Sequence, residues 1–198
     1  FHSSDNADDV AAMVASYAPD AVLLVGDLFD DDTANRPPER TLSLMRQLSA
    51  QYPCYYVSGN HEAWTGEMDA LYQQTADAGV TVLRMSSGVL TVRGQRIALC
   101  GIPDPYEMVF SGAPDTEEQL RQAMENVDSA DFTVLLAHRP ELLGLYAPNQ
   151  GWFPKLAGGA YAQDGTTLIV SRGLAVRTRL PRIFNRPEVV LVRCVPAE

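Results

Sequence analysis

Three cysteines in 198 residues is too few, and too odd a number, for a disulfide framework. Cys54, Cys100 and Cys194 lie far apart, no CxxC pair exists, and the expected state is three buried free thiols in a reducing compartment. There is no apolar run of the ~18 residues that a membrane helix requires, and no signal-peptide pattern. Cations are also scarce. Fifteen Lys and Arg stand against 25 Asp and Glu, leaving a net charge of −10. That balance argues against extended nucleic-acid binding, which needs clustered positive charge. There are only three histidines, and repeats and low-complexity tracts are absent. What remains is 46% hydrophobic and 20% charged, the composition of one ordinary globular domain with a substantial core.

Strands and helices alternate along the first two thirds. Val10, Met13, Val14 and Tyr17 share a face of an expected helix from Asp8 to Tyr17, and Pro19 ends it. Ala21 to Val25 and Tyr55 to Ser58 read as buried strands, with helices from Arg40 to Leu48 and from Glu67 to Asp77. Short strands are expected at 80–83, 89–92 and 97–100, with a turn at Gly94. Asp115 opens a helix with Glu118 three residues on, a capping-box pattern. Phe132 to Ala137, Thr166 to Ser171 and Val189 to Cys194 read as further strands. The pattern indicates a single α/β domain with mixed sheets.

Two of these strands end in the same device. Gly26-Asp27-Leu28-Phe29-Asp30 follows the apolar run 21–25, and Gly59-Asn60-His61-Glu62 follows 54–58. A glycine lets the chain turn sharply, and the carboxyl ends of strands are where open α/β sheets bind ligands. Asp27, Asn60 and His138, the last at the end of a third strand, are oxygen and imidazole donors suited to divalent cations. Two such cations can clamp the oxygens of a phosphoryl displacement and acidify a bound water. His61 is placed to assist a leaving group.

Gly26-Asp27-Leu28-Phe29-Asp30, Gly59-Asn60-His61-Glu62 and Ala137-His138-Arg139-Pro140 resemble the calcineurin-like metallophosphoesterase superfamily. Residues 151–155, 171–174 and 185–188 look like a bacterial branch related to membrane-associated phosphodiesterases. The resemblance implies a four-layer α-β-β-α sandwich with two mixed sheets. It implies two divalent metal ions (Mn, Fe, Zn or Ni), with Asp27 bridging them, Asn60 and His138 on the second metal, and a metal-activated hydroxide attacking phosphorus. His61 would act on the leaving group. Arg139 could touch phosphate or serve structurally, and Asp30 and Glu62 would hold loops rather than contact metal.

Two motifs of that superfamily, Asp-x-His and Gly-His-x-His, are not found in the sequence. Residues are therefore expected to be absent before Phe1 and near 144–146, and His2 stays open as a ligand. The leading expectation is a phosphoesterase acting on a phosphodiester or pyrophosphate, lipid-linked or nucleotide-type. The expected location is the cytoplasm, with peripheral membrane contact open. The rivals are a metal-deficient scaffold of the same fold and, more weakly, a nuclease.

Overall fold

The computed structural model describes residues 7–31, 38–128, 132–139, 159–163, 166–171 and 189–195. Its elements run α1 (Ala7–Tyr17), β1 (Val22–Val25), α2 (Glu39–Ser49), β2 (Cys54–Val57), α3 (Asn60–Trp64), α4 (Met68–Asp77) and β3 (Thr81–Val82). They continue with β4 (Ser86–Val92), β5 (Gln95–Gly101), α5 (Tyr106–Ser111), α6 (Thr116–Met124), β6 (Phe132–Leu136), β7 (Gly159–Gln163) and β8 (Thr166–Val170). One sheet has the order β1-β2-β3 and is parallel throughout. The second has the order β4-β5-β6 and is mixed, with β4 antiparallel and β6 parallel to β5. β7 and β8 form a separate antiparallel pair.

Side-chain alternation along the strands builds the layers. Tyr56 and Cys54 of β2, with Val22 and Leu24 of β1, face α1, α2 and α4, where they meet Val14, Leu42, Met45, Leu48 and Leu71. Tyr55 and Val57, one residue out of phase, point the other way and meet Leu83, Leu99 and Leu136 between the two sheets. On the far side of the second sheet, Cys100 and Leu135 pack with Ala123 of α6. The order is helices, sheet, sheet, helix. Burying each Leu, Val or Ile in these interfaces is worth about 1.5–3 kcal/mol.

Local sequence explains the connections. Arg93 and Gly94 both have positive φ, +51° and +80°, and join β4 to β5 with the two-residue turn whose twist matches the strands. Asp115 caps α6 by accepting the Glu118 N–H at 3.0 Å. Residues 189–195 carry no strand ladder, although 189–194 read as a strand, and Val189 to Val192 are exposed. An apolar run makes a strand only where a partner takes up its backbone groups, and none does so among the described residues. Cys194 is likewise exposed, not buried; Cys54 and Cys100 are buried. The short helices α3 and α5 and the strand β7 have no periodic signal in the sequence. His2, the 144–146 junction, and residues 151–155, 172–174 and 185–188 lie outside the described residues. No described helix is long and apolar enough to cross a membrane.

Candidate metal centre

The carboxyl ends of β1 and β2 touch backbone to backbone. Gly26 has φ +73°. A Cβ there would lie 2.6 Å from His138 Nδ1 and 2.7 Å from the Gly59 Cα. Only glycine fits between the two loops, on grounds of space as well as of backbone angle. Asp27 follows with φ +54°. The left-handed region costs a residue with a side chain of order 1–3 kcal/mol, and Asp bears it better than most.

Glu62 holds that backbone in place. It is fully buried. Its Oε2 accepts the N–H of Asp27 at 2.9 Å and of Gly59 at 3.0 Å. Its Oε1 accepts the N–H of Leu28 at 2.7 Å and of Phe29 at 3.1 Å. One side chain thus satisfies four amides from two loops. Because Glu62 is the third residue of α3, its bond to Gly59 also closes the first turn of that helix. Burial pushes its carboxyl above the usual range; the Phe29 and Leu28 amides pull against this, and the Asp27 charge adds to it.

The Asp27 carboxylate lies between two histidines. Oδ1 accepts the His61 backbone N–H at 3.0 Å, and Oδ2 lies 3.3 Å from His138 Nε2. Burial works to raise the Asp27 pKa, but the His138 hydrogen bond and charge, with the His61 amide, carry it below the ordinary value. Burial works to lower that of His138, and the Asp27 carboxylate with the Val25 carbonyl outweighs it, raising it to about 9. His138 Nδ1 is 2.9 Å from the Val25 carbonyl oxygen. A carbonyl only accepts, so Nδ1 carries a proton and Nε2 is presented to Asp27. Asn60 stands half-buried as the first residue of α3, between the glycine of the loop contact and His61. His61 Nδ1 bonds Asp31 Oδ1 at 2.6 Å. Asp30, Asp31 and His61 bring one ligand atom each to within 4.8 Å of one another.

Arg139, next to His138, turns to the opposite wall. Its Nε donates to Asp104 Oδ2 at 2.6 Å, and its guanidinium lies 5.2 Å over the Tyr106 ring. Asp104 is 1% exposed, accepts the Tyr106 N–H at 2.9 Å and donates its own N–H to Ser58 Oγ at 3.2 Å. Sequence reasoning missed Asp104, Asp31, Trp64 and Tyr106. For Asp104 the signal was weaker than at Gly26-Asp27, since Ile102 and Pro103 separate it from the glycine that ends β5.

A family model for the calcineurin-like phosphoesterase matches residues 1–170. The chain belongs to that family. Among its relatives are the uncharacterized metallophosphoesterase YkuE of Bacillus subtilis, 25% identical over 87% of this chain and 67% of the relative, and an uncharacterized metallophosphoesterase of Helicobacter pylori, 31% identical over 89% and 51%. A transmembrane protein with metallophosphoesterase domain from Danio rerio is 25% identical over 66% of this chain, which spans 30% of that relative's length. The chain spans between 30% and 67% of the length of these relatives. The donors fit divalent ions. Asp27 and His138 present oxygen and imidazole nitrogen to one point, and the Val25 carbonyl holds the imidazole in the tautomer that ligates through Nε2.

Proposed function

We propose that the chain hydrolyses phosphodiester or pyrophosphate bonds with two divalent ions, on a lipid-linked or nucleotide-type substrate. Asp27 would be shared by the two ions, and Asn60 and His138 would serve the second. Such a pair supplies an acidified water and a positive field for the phosphoryl oxygens. The chain's own residues do the rest. His61, oriented through Nδ1 by Asp31, hands a proton from Nε2 to the leaving oxygen. Arg139, fixed by Asp104, sits beside the phosphate. Glu62 keeps the two ligand loops in register without touching substrate. The observation that carries the reading is the convergence of Asp27 and His138 from two different sheets.

Hydrolysis of bis-p-nitrophenyl phosphate with added Mn²⁺ tests it. Wild type should turn over only with metal. Asp27→Asn should lose at least about a hundredfold, the scale of several kcal/mol of transition-state stabilisation. His61→Ala should lose about 10²–10⁴-fold, the range of a general acid. Turnover without metal, or turnover that survives Asp27→Asn, refutes the two-ion mechanism. A full-length protein inactive with every divalent ion supports the scaffold reading instead.

A further inference from the structure

Between His61 and Arg139 the chain builds a row of ring faces that the hydrolytic chemistry does not use. The His61 and Trp64 rings are 4.9 Å apart at 58°. Trp64 and Tyr106 are 5.6 Å apart at 66°, and the Arg139 guanidinium covers Tyr106 at 5.2 Å. Both ends of the row join the metal centre, since the His61 amide binds one oxygen of Asp27 and His138, next to Arg139, faces the other. Trp64 and Tyr106 nonetheless remain 40% and 41% exposed. The two rings make a corner that is open to solvent beside the candidate metal centre.

The corner is held from behind. The buried Asp104 carboxylate accepts the Tyr106 N–H and pairs with Arg139, and Ser58 ties Asp104 to the end of β2. In α5 the next acid, Glu107, is fully buried, accepts from the Tyr72 hydroxyl at 2.5 Å and pairs with Arg84 at 2.5 Å. Two buried carboxylates thus fix a helix of six residues. A helix so short has no stability of its own. The anchoring means that Tyr106 is prepositioned and loses little entropy when something stacks on it.

We propose that Trp64 and Tyr106 form a specificity subsite for a planar aromatic group on the leaving-group side of the substrate phosphate. The inference rests on the phosphoesterase reading above, which places the leaving oxygen at His61, one helical turn from Trp64. A flat ring laid on one face of the corner meets the edge of the other, the favourable quadrupole geometry. A saturated chain of equal size gains only the area term.

Calorimetric titration of the Mn²⁺-loaded protein with phenylphosphonate, ethylphosphonate and inorganic phosphate tests this without turnover. Phenylphosphonate should bind about tenfold tighter than ethylphosphonate. Trp64→Leu and Tyr106→Leu should each remove most of that difference and leave inorganic phosphate binding within about twofold. Trp64→Phe, which keeps a ring, should retain most of the preference. Equal binding of the two phosphonates by wild type, or a preference that survives both Leu variants, overturns the subsite. Failure of all three ligands to bind removes the phosphoesterase reading itself, so the two outcomes are distinct.

Discussion

His138 and Asp27 form a half-buried ion pair that a metal would replace, and this gives the metal-free protein a pH signature. The folded pKa of His138 is raised to about 9 from 6.5. The pair's contribution is therefore fully present below pH 6.5 and is lost as pH rises through about 9, with an upper bound of about 3 kcal/mol. Urea unfolding of chelator-treated wild type and His138→Gln should show a stability gap that is widest near pH 6 and closes by pH 10. A constant gap would mean that His138 acts through packing alone. Glu62 gives a second residue-scale prediction. In Glu62→Gln one oxygen becomes an NH₂ group facing two N–H donors, so two of the four amides lose their acceptor. At about 1–3 kcal/mol per stranded group, the loss should be about 2–6 kcal/mol in chemical denaturation. The Gly26-Asp27 and Gly59-Asn60-His61 loops could be singled out in the sequence because both follow apolar runs, although one Gly-Asp after a strand is by itself more often just a turn. Asp31 could not, because its role comes only from the distance to His61.

The four-residue strands β1 and β2 mark the site by their ends, and their glycines make the ends meet. Gly59→Ala would drive a Cβ to 2.5 Å from the Asp27 nitrogen. The loops must then part, and hydrolysis should fall at least as far as in Asp27→Asn, while circular dichroism stays near wild type. α6 is a simpler case. Removing its cap in Asp115→Ala should cost about 1 kcal/mol of stability and leave kcat unchanged. The capping box was readable at Asp115, but the Glu118 side chain pairs with Arg121 at 2.6 Å. α3 and α5 were not readable, because five or six residues cannot display a helical period, and their placement depends on Glu62, Asp104 and Glu107 reaching partners distant in sequence. The 189–194 run shows the opposite failure, apolar residues with β propensity and no ladder to join among the described residues.

For the molecule as a whole, two sheets packed face to face bring three strand ends to one rim, and the inter-sheet core sets that distance. Leu99→Ala, between the sheets, should cost about 2–5 kcal/mol and loosen the approach of His138 to Asp27. The thiols report the same architecture. Burial pushes the Cys54 thiol up to about 11 and raises Cys100, while Cys194 is exposed. In native protein a thiol reagent should modify Cys194 rapidly, with Cys54 and Cys100 reacting only after unfolding, as mass spectrometry of labelled peptides would show. The helix–strand alternation was legible because burial writes a period into the sequence, whereas the layering came only from the family resemblance. Strand order and register were not, since they depend on which edges meet. The Glu62 tie has a consequence for ion choice. Glu62 holds three amides of the Asp27 loop and one of the Gly59 loop by hydrogen bonds that involve no metal, so the two loops are set before any ion arrives. A rigid cradle should discriminate by radius, so ions with bond lengths of ~2.0–2.2 Å should support hydrolysis better than larger ones at ~2.3–2.6 Å such as Ca²⁺, which assays across a divalent series would show.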